Sequence, residues 1–177
     1  TILASQLEQA RSLGYEFKVG VEAEFMLLRK DEAGHYVPND PLDILEKPCY
    51  DFRSMAPAMD YLQDLTTSLN ALGWGVYQTD HEDGNGQYEV NFDYQDALTT
   101  SDRVTFFKMA SSQIAAKYGA IATHMPKPFA DRTGSGLHVH FHIAAADGRA
   151  AESALARRRG AAQRWLTANW SGGLYCF

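Results

Sequence analysis

The run Val19-Gly20-Val21-Glu22-Ala23-Glu24-Phe25-Met26-Leu27-Leu28 constrains this chain most, because it places two carboxylates inside an otherwise apolar segment. Phe17, Val19 and Val21 alternate with Lys18, Gly20 and Glu22, which is the period of a strand, and a strand is predicted over residues 16–28. On such a strand Glu22 and Glu24 share one face, about 7 Å apart, and repel each other. Most Glu-x-Glu pairs are solvated strand faces. Here the neighbours Val19, Val21, Phe25 and Met26 indicate burial, where unpaired charge is costly. One or two divalent cations would remove both the repulsion and the burial cost.

Two further segments carry similar chemistry. His81-Glu82-Asp83-Gly84-Asn85-Gly86-Gln87-Tyr88-Glu89 holds Glu82 and Glu89 on either side of a glycine turn that can bring both to one centre. By itself it reads equally as a polar hairpin tip, with Asp80 and Asp83 as turn formers. Gly134-Ser135-Gly136-Leu137-His138-Val139-His140-Phe141-His142 places three imidazoles on one face of a strand predicted over 137–144. A single histidine is usually structural, but this chain has only six, and three of them are aligned here. Imidazole ligates metals and hydrogen-bonds phosphate. Carboxylate-dominated ligation suits Mg²⁺ or Mn²⁺, the ions used in phosphoryl transfer. No Walker-type phosphate loop is present.

Between these segments the pattern alternates strands and helices. Helices are predicted over residues 4–14, 55–72 and 99–118, with Met55, Met59, Leu62, Leu65 and Leu69 on one stripe and Thr99–Asp102 as cap candidates. A hairpin turn at Asp31–Gly34 returns through 35–37, and residues 38–48 and 125–136 are loops. Strands are predicted over 74–79, 87–94 and 121–124, the second alternating without a break: Tyr88, Val90, Phe92 and Tyr94 on one face, Gln87, Glu89, Asn91 and Asp93 on the other. The 177 residues carry a net charge of −6, which gives no reason to expect nucleic acid or an anionic membrane as partner. Two cysteines define no disulfide framework. With no charged-then-apolar leader and no run near the roughly 20 apolar residues of a membrane span, the expected location is cytoplasmic.

In this order and at these separations, Val19–Phe25, His81–Phe92 and the stretch from Met125-Pro-Lys-Pro128 to Gly134-Ser-Gly-Leu-His138-Val-His140 resemble glutamine synthetase, closest to its type III or GlnT-like branch, which includes γ-glutamylamide ligases. The resemblance implies an α+β fold, an antiparallel sheet with helices packed on one face, forming part of the glutamine synthetase catalytic domain. It implies ATP-dependent ligation of glutamate with ammonia or another amine through γ-glutamyl phosphate. By the same resemblance Glu24, Glu82 and Glu89 hold one Mg²⁺ or Mn²⁺, and Glu22 and His138 hold a second that serves ATP. His140 lies by the ATP phosphates, and Gly134 lies in the loop that holds glutamate. The intact family member is a ring-shaped homo-oligomer. Thr133 stands where many members have a glutamate-binding Asn, and His142 where Ser is common, so the amine and the amino-acid contacts are open.

Residues 1–148 are expected to be the N-terminal half of that catalytic domain, and 149–177 an atypical Ala- and Arg-rich tail containing Arg157-Arg158-Arg159. The absence of an initiator Met, of the family's small N-terminal domain and of its later arginines leads to the expectation of a truncated chain, inactive alone. Codons compatible with Ala161–Cys176 encode a family-like apolar helix in the −1 frame, so a frameshift between about 148 and 160 is expected, and the nucleotide sequence tests it. Two alternatives remain: a non-catalytic metal-binding piece or regulatory relative that joins full-length subunits, and a zinc hydrolase built on the His-x-His-x-His face.

Overall fold

In the computed structural model, residues 1–145 are described. The tail of 149–177 and the expected frameshift region lie outside them. The fold is α+β, as the resemblance implied: an antiparallel sheet with helices. Its axis is β1, Tyr15–Lys30, longer at both ends than predicted. It follows helix α1, Ile2–Ser12, whose first turn is capped by the Thr1 hydroxyl accepting from the Ala4 N–H.

A residue in a strand pairs with at most two neighbours, so the registers assign each partner to an edge of β1. Along one edge lie β7 (Leu137–Ala145), paired from Tyr15↔Ala145 to Ala23↔Leu137, and β6 (Ile121–Thr123). Along the other lie β5 (Gln95–Asp96), β4 (Gln87–Phe92) and β2 (Tyr36–Pro38), the last closing the hairpin predicted at Asp31–Gly34. The strand β3 (Val76–His81) extends the sheet beyond β4.

The pleat of β1 separates its two faces. Odd-numbered residues Val21, Ala23, Phe25 and Leu27 join Tyr88, Val90 and Phe92 of β4 in the hydrophobic core. Two helices cover this face: α3, Met59–Ala71, through Tyr61, Leu62, Leu65 and Leu69, and α4, Ala97–Lys117, through Phe107, Ile114 and Ala115. Phe25 is wholly buried and meets Tyr61 and Phe107 edge to face, with ring centroids 6.1 and 5.7 Å apart. The even-numbered face of β1, carrying Glu22 and Glu24, is left for the site.

The structure corrects several expected boundaries. The helix predicted over 55–72 divides into α2 (Phe52–Met55), a 3₁₀ turn at Ala56–Ala58 and α3, because Pro57 has no N–H to continue the ladder. Met55 is half-buried and Met59 exposed, and Tyr61 joins the leucines in the core instead. The cap of α4 is Asp96, whose Oδ1 accepts from the Leu98 and Thr99 N–H groups at 3.1 and 3.0 Å, rather than a residue of 99–102. β4 ends at Phe92 because the Asp93 N–H turns to the carbonyls of Trp74 and Gly75, which leaves Tyr94 exposed. β3 starts at Val76 rather than 74, since Gly75 takes a left-handed φ of 65° that breaks the extended run.

Candidate metal centre

The register of β1 with β4 and β7 builds the site. Glu24 lies opposite Glu89, and Glu22 lies opposite Asn91 on one side and His138 on the other. Ligand atoms of Glu22, Glu89 and His138 all lie within 4.8 Å of one another. The polar face of β4 is not solvated: all six of its residues are buried. A buried row of Gln87, Glu89 and Asn91 needs partners that an ordinary hairpin would not provide.

Both oxygens of Glu22 are engaged, Oε2 by His138 Nδ1 at 3.1 Å and Oε1 by His140 Nε2 at 3.0 Å. Burial raises the Glu22 pKa, but these imidazoles outweigh it and hold the carboxyl below its ordinary range. Glu24 uses one oxygen structurally: Oε2 accepts from Gln87 Nε2 and from the Gly136 N–H, each at 3.0 Å. Glu89 Oε1 accepts from Asn91 Nδ2 at 2.9 Å. Burial raises the Glu89 pKa, the Asn91 bond partly offsets this, and the charges of Glu22, Glu24 and Asp80 push it up again.

Glu82 sits on the turn after β3. Burial, then the charges of Glu89, Glu24, Asp80 and Asp83, push its pKa up to about 7. Its backbone N–H donates to the Gln87 carbonyl at 2.9 Å, and Cys49 Sγ lies 4.0 Å from its Oε2. Of the expected ligands, Glu22, Glu89 and His138 bring donor atoms together, Glu24 lies opposite Glu89 in the strand register, and Glu82, on the turn beyond β3, is near enough for the charges of Glu89 and Glu24 to raise its pKa. His140 Nε2 lies 3.0 Å from Glu22 Oε1. The Gly134 carbonyl accepts from Gln87 Nε2 at 3.0 Å, so its loop is docked on the same cluster. His142 shares the face of His138 and His140 and lines a cleft of about 600 Å³ with Glu22, His140, Tyr77, Phe92 and Tyr94.

The donor set fits a hard divalent cation on three observations. Burial first, and then the charges of neighbouring carboxylates, raise the pKa values of Glu82 and Glu89, a combination that a counter-cation would relieve. The Oδ1 of buried Asn91 has no hydrogen-bond donor among the described residues, although its Nδ2 holds Glu89. A Cβ on Gly136 would lie 3.0 Å from Glu24 Oε1 and 3.1 Å from His138 Nε2, so glycine keeps the space between these two donors open. The φ of Gly136 lies outside the left-handed region, so alanine is compatible with the backbone there. Gly136→Ala is therefore expected to weaken Mn²⁺ binding about tenfold with little loss of thermal stability. Titration calorimetry beside a melting curve checks this, and unchanged affinity contradicts it.

Some residues that hydrogen-bond the carboxylate cluster were not singled out as site residues from sequence. Gln87, Asn91 and Gly136 are the main ones. The signal for the first two was present, since both fall on the face of β4 that also carries Glu89. Asp43 had no such signal. Its buried carboxylate accepts from the Gly86 N–H at 2.6 Å and lies 2.8 Å from His81 Nε2, while His81 Nδ1 lies 2.8 Å from the Glu82 carbonyl. Burial works against the Asp43 charge, but the bonds from His81, Gly86 and Asn85 hold its pKa down.

These features define the class: an α+β sheet protein that gathers carboxylates and imidazoles, donors suited to a hard divalent cation, beside its central strand. The chain belongs to the glutamine synthetase family, whose catalytic-domain model matches residues 1–174. It is 46% identical over 173 residues to the glutamate–methylamine ligase of Methyloversatilis universalis, covering 98% of this chain and 39% of that protein. It is 41% identical over 148 residues to a glutamine synthetase of Rhizobium leguminosarum bv. phaseoli, covering 84% of this chain and 33% of that one. A solved GmaS/ADP complex superposes with a TM-score of 0.78 at 43% identity, covering 84% of this chain and 34% of that one. The chain thus spans well under half the length of these relatives. Among the described residues no helix is long and apolar enough to cross a membrane.

Proposed function

We propose that this chain forms part of the active site of an ATP-dependent ligase that joins the γ-carboxylate of glutamate to ammonia or a small amine such as methylamine. The observation that carries this reading is the convergence of Glu22, Glu89 and His138 within 4.8 Å, in a family member most of whose length aligns with a glutamate–methylamine ligase. Glu24, Glu82 and Glu89 would hold one Mg²⁺ or Mn²⁺, and Glu22 with His138 a second. When bound, such ions neutralise the negative charge of the nucleotide phosphates.

The chain's own residues prepare this chemistry. His138 and His140 hold Glu22 ionised and fixed in direction. Gln87 and the Gly136 amide turn Glu24 so that Oε1 stays available. The cleft beside Glu22 and His140 is walled by the exposed rings of Tyr77 and Tyr94, which suits ATP with its phosphates toward His140. The loop at Gly134 would hold glutamate. ATP phosphorylates the γ-carboxylate, and the amine then displaces phosphate to leave the amide. We place the intact protein in the cytoplasm as a homo-oligomer.

The test is titration with Mn²⁺ and ATP, followed by a γ-glutamyl transferase assay with ammonia and with methylamine. Saturable Mn²⁺ binding with turnover supports the ligase. Binding without turnover favours the second reading, a metal-binding piece that works only with full-length subunits; coverage of 39% of the methylamine ligase motivates keeping that reading. Thermal stabilisation by Zn²⁺ but not Mn²⁺ would overturn both.

A further inference from the structure

We infer that Gln87 is the positioning residue that locks the carboxylate Glu24 and the loop Gly134–Gly136 into one geometry, so that the metal centre and the amino-acid loop are set together. This rests on the ligase reading for what the two sites hold, but the geometry stands without it. Gln87 has no exposed surface. Its Oε1 accepts from the Gly84 N–H at 2.8 Å, which fixes the direction of the side-chain amide, because only an oxygen can face that donor. The Nε2 group must then face the other way. There it meets Glu24 Oε2 at 3.0 Å, the Gly134 carbonyl at 3.0 Å and Ser135 Oγ at 3.1 Å.

The backbone of Gln87 ties in the remaining segment. Its N–H donates to the Gly84 carbonyl, and its carbonyl accepts from the Glu82 N–H, each at 2.9 Å. A Cβ at Gly84 would come within 2.9 Å of Oε1, so glycine is required for this approach. The Gly136 N–H closes the ring by donating to the same Glu24 oxygen that accepts from Gln87. One side chain therefore joins β1 through Glu24, the turn that carries Glu82 and the loop that carries Gly134. It also consumes one oxygen of Glu24, which leaves Oε1 at the edge of the space that Gly136 keeps open beside His138. A buried amide satisfied on both sides is costly to disturb, so movement of the loop is expected to move Glu24.

The experiment uses the full chain with Mn²⁺ as probe. Wild type, Gln87→Met and Gln87→Asn are compared by Mn²⁺ titration well below their melting temperatures and by hydrogen exchange at the Ser135 and Gly136 amides. Gln87→Met keeps length without polarity. Gln87→Asn keeps an amide one methylene short, and serves if the first variant does not fold. The expected result is a tenfold or greater loss of Mn²⁺ affinity together with at least tenfold faster exchange at both amides. A variant that melts earlier but binds Mn²⁺ within twofold of wild type, with unchanged exchange at those amides, has lost only stability, and that outcome overturns the inference. If wild type itself binds no Mn²⁺, the metal reading falls, and Gln87 is judged by exchange alone: faster exchange in the variants supports it, and equal exchange overturns it.

Discussion

Glu89→Gln is expected to reduce Mn²⁺ affinity at least about 100-fold while making the metal-free chain more stable. Loss of an outer partner at a metal site already costs up to about 100-fold, and Glu89 belongs to the tightest donor group. The opposite sign for stability comes from its surroundings. Glu89 is buried, and the charges of Glu22, Glu24 and Asp80 act against its ionised form. Glutamine keeps the shape and removes the repelled charge, a gain on the order of 1 kcal/mol. Calorimetric titration and thermal melting of one preparation measure both effects. A variant that binds Mn²⁺ like wild type would remove Glu89 from the centre, and one that melts earlier would mean that the charge is well compensated without metal.

The second large effect is a dependence on pH carried by Glu82. Its folded pKa of about 7 exceeds the ordinary 4.5, so between these values the folded chain holds a proton that the unfolded chain has released. Stability from this group is therefore complete below about pH 4.5 and is lost as pH rises toward 7. The full shift corresponds to about 3 kcal/mol, or about half that once screening at this half-buried site is allowed for. His124 acts in the opposite sense: burial, aided by the Lys108 charge, lowers its pKa to about 4, so its contribution grows with pH between that value and 6.5. The measurement is accordingly a difference. Glu82→Gln is expected to match wild type at pH 4 and to exceed it at pH 8, and Mn²⁺ is expected to stabilise wild type more at pH 8 than at pH 5, where it must displace protons. Equal melting of the two proteins at pH 8 would show that Glu82 carries no such penalty.

Much of the site was legible in the residues. The alternation of β1 placed Glu22 and Glu24 together, and the same rule aligned His138, His140 and His142. The pattern of β4 separated Tyr88, Val90 and Phe92 from Gln87, Glu89 and Asn91, and the first set lies in the core. Two of the boundary shifts have local causes, and the third comes from a contact between distant segments. Pro57 broke a helix, Asp96 displaced the expected cap of α4, and the Asp93 amide left the ladder for Trp74 and Gly75. Asp43 gave no signal, because a carboxylate in a loop reads as solvated until the fold buries it against His81 and Gly86.

The sequence by itself determined which side chains share a strand face, since a period of two is a property of the local backbone. It also determined, through the order of its motifs, the family to which the chain belongs. Only the tertiary structure decided which faces meet. Glu22 stands opposite both Asn91 and His138 because β4 and β7 pair along the two edges of β1 in one particular register. Gln87 becomes a buried joint, and Glu82 a carboxyl that titrates near neutrality, only once those strands and loops close around them. Register and burial depend on contacts between residues far apart in the chain, and local periodicity carries no information about them.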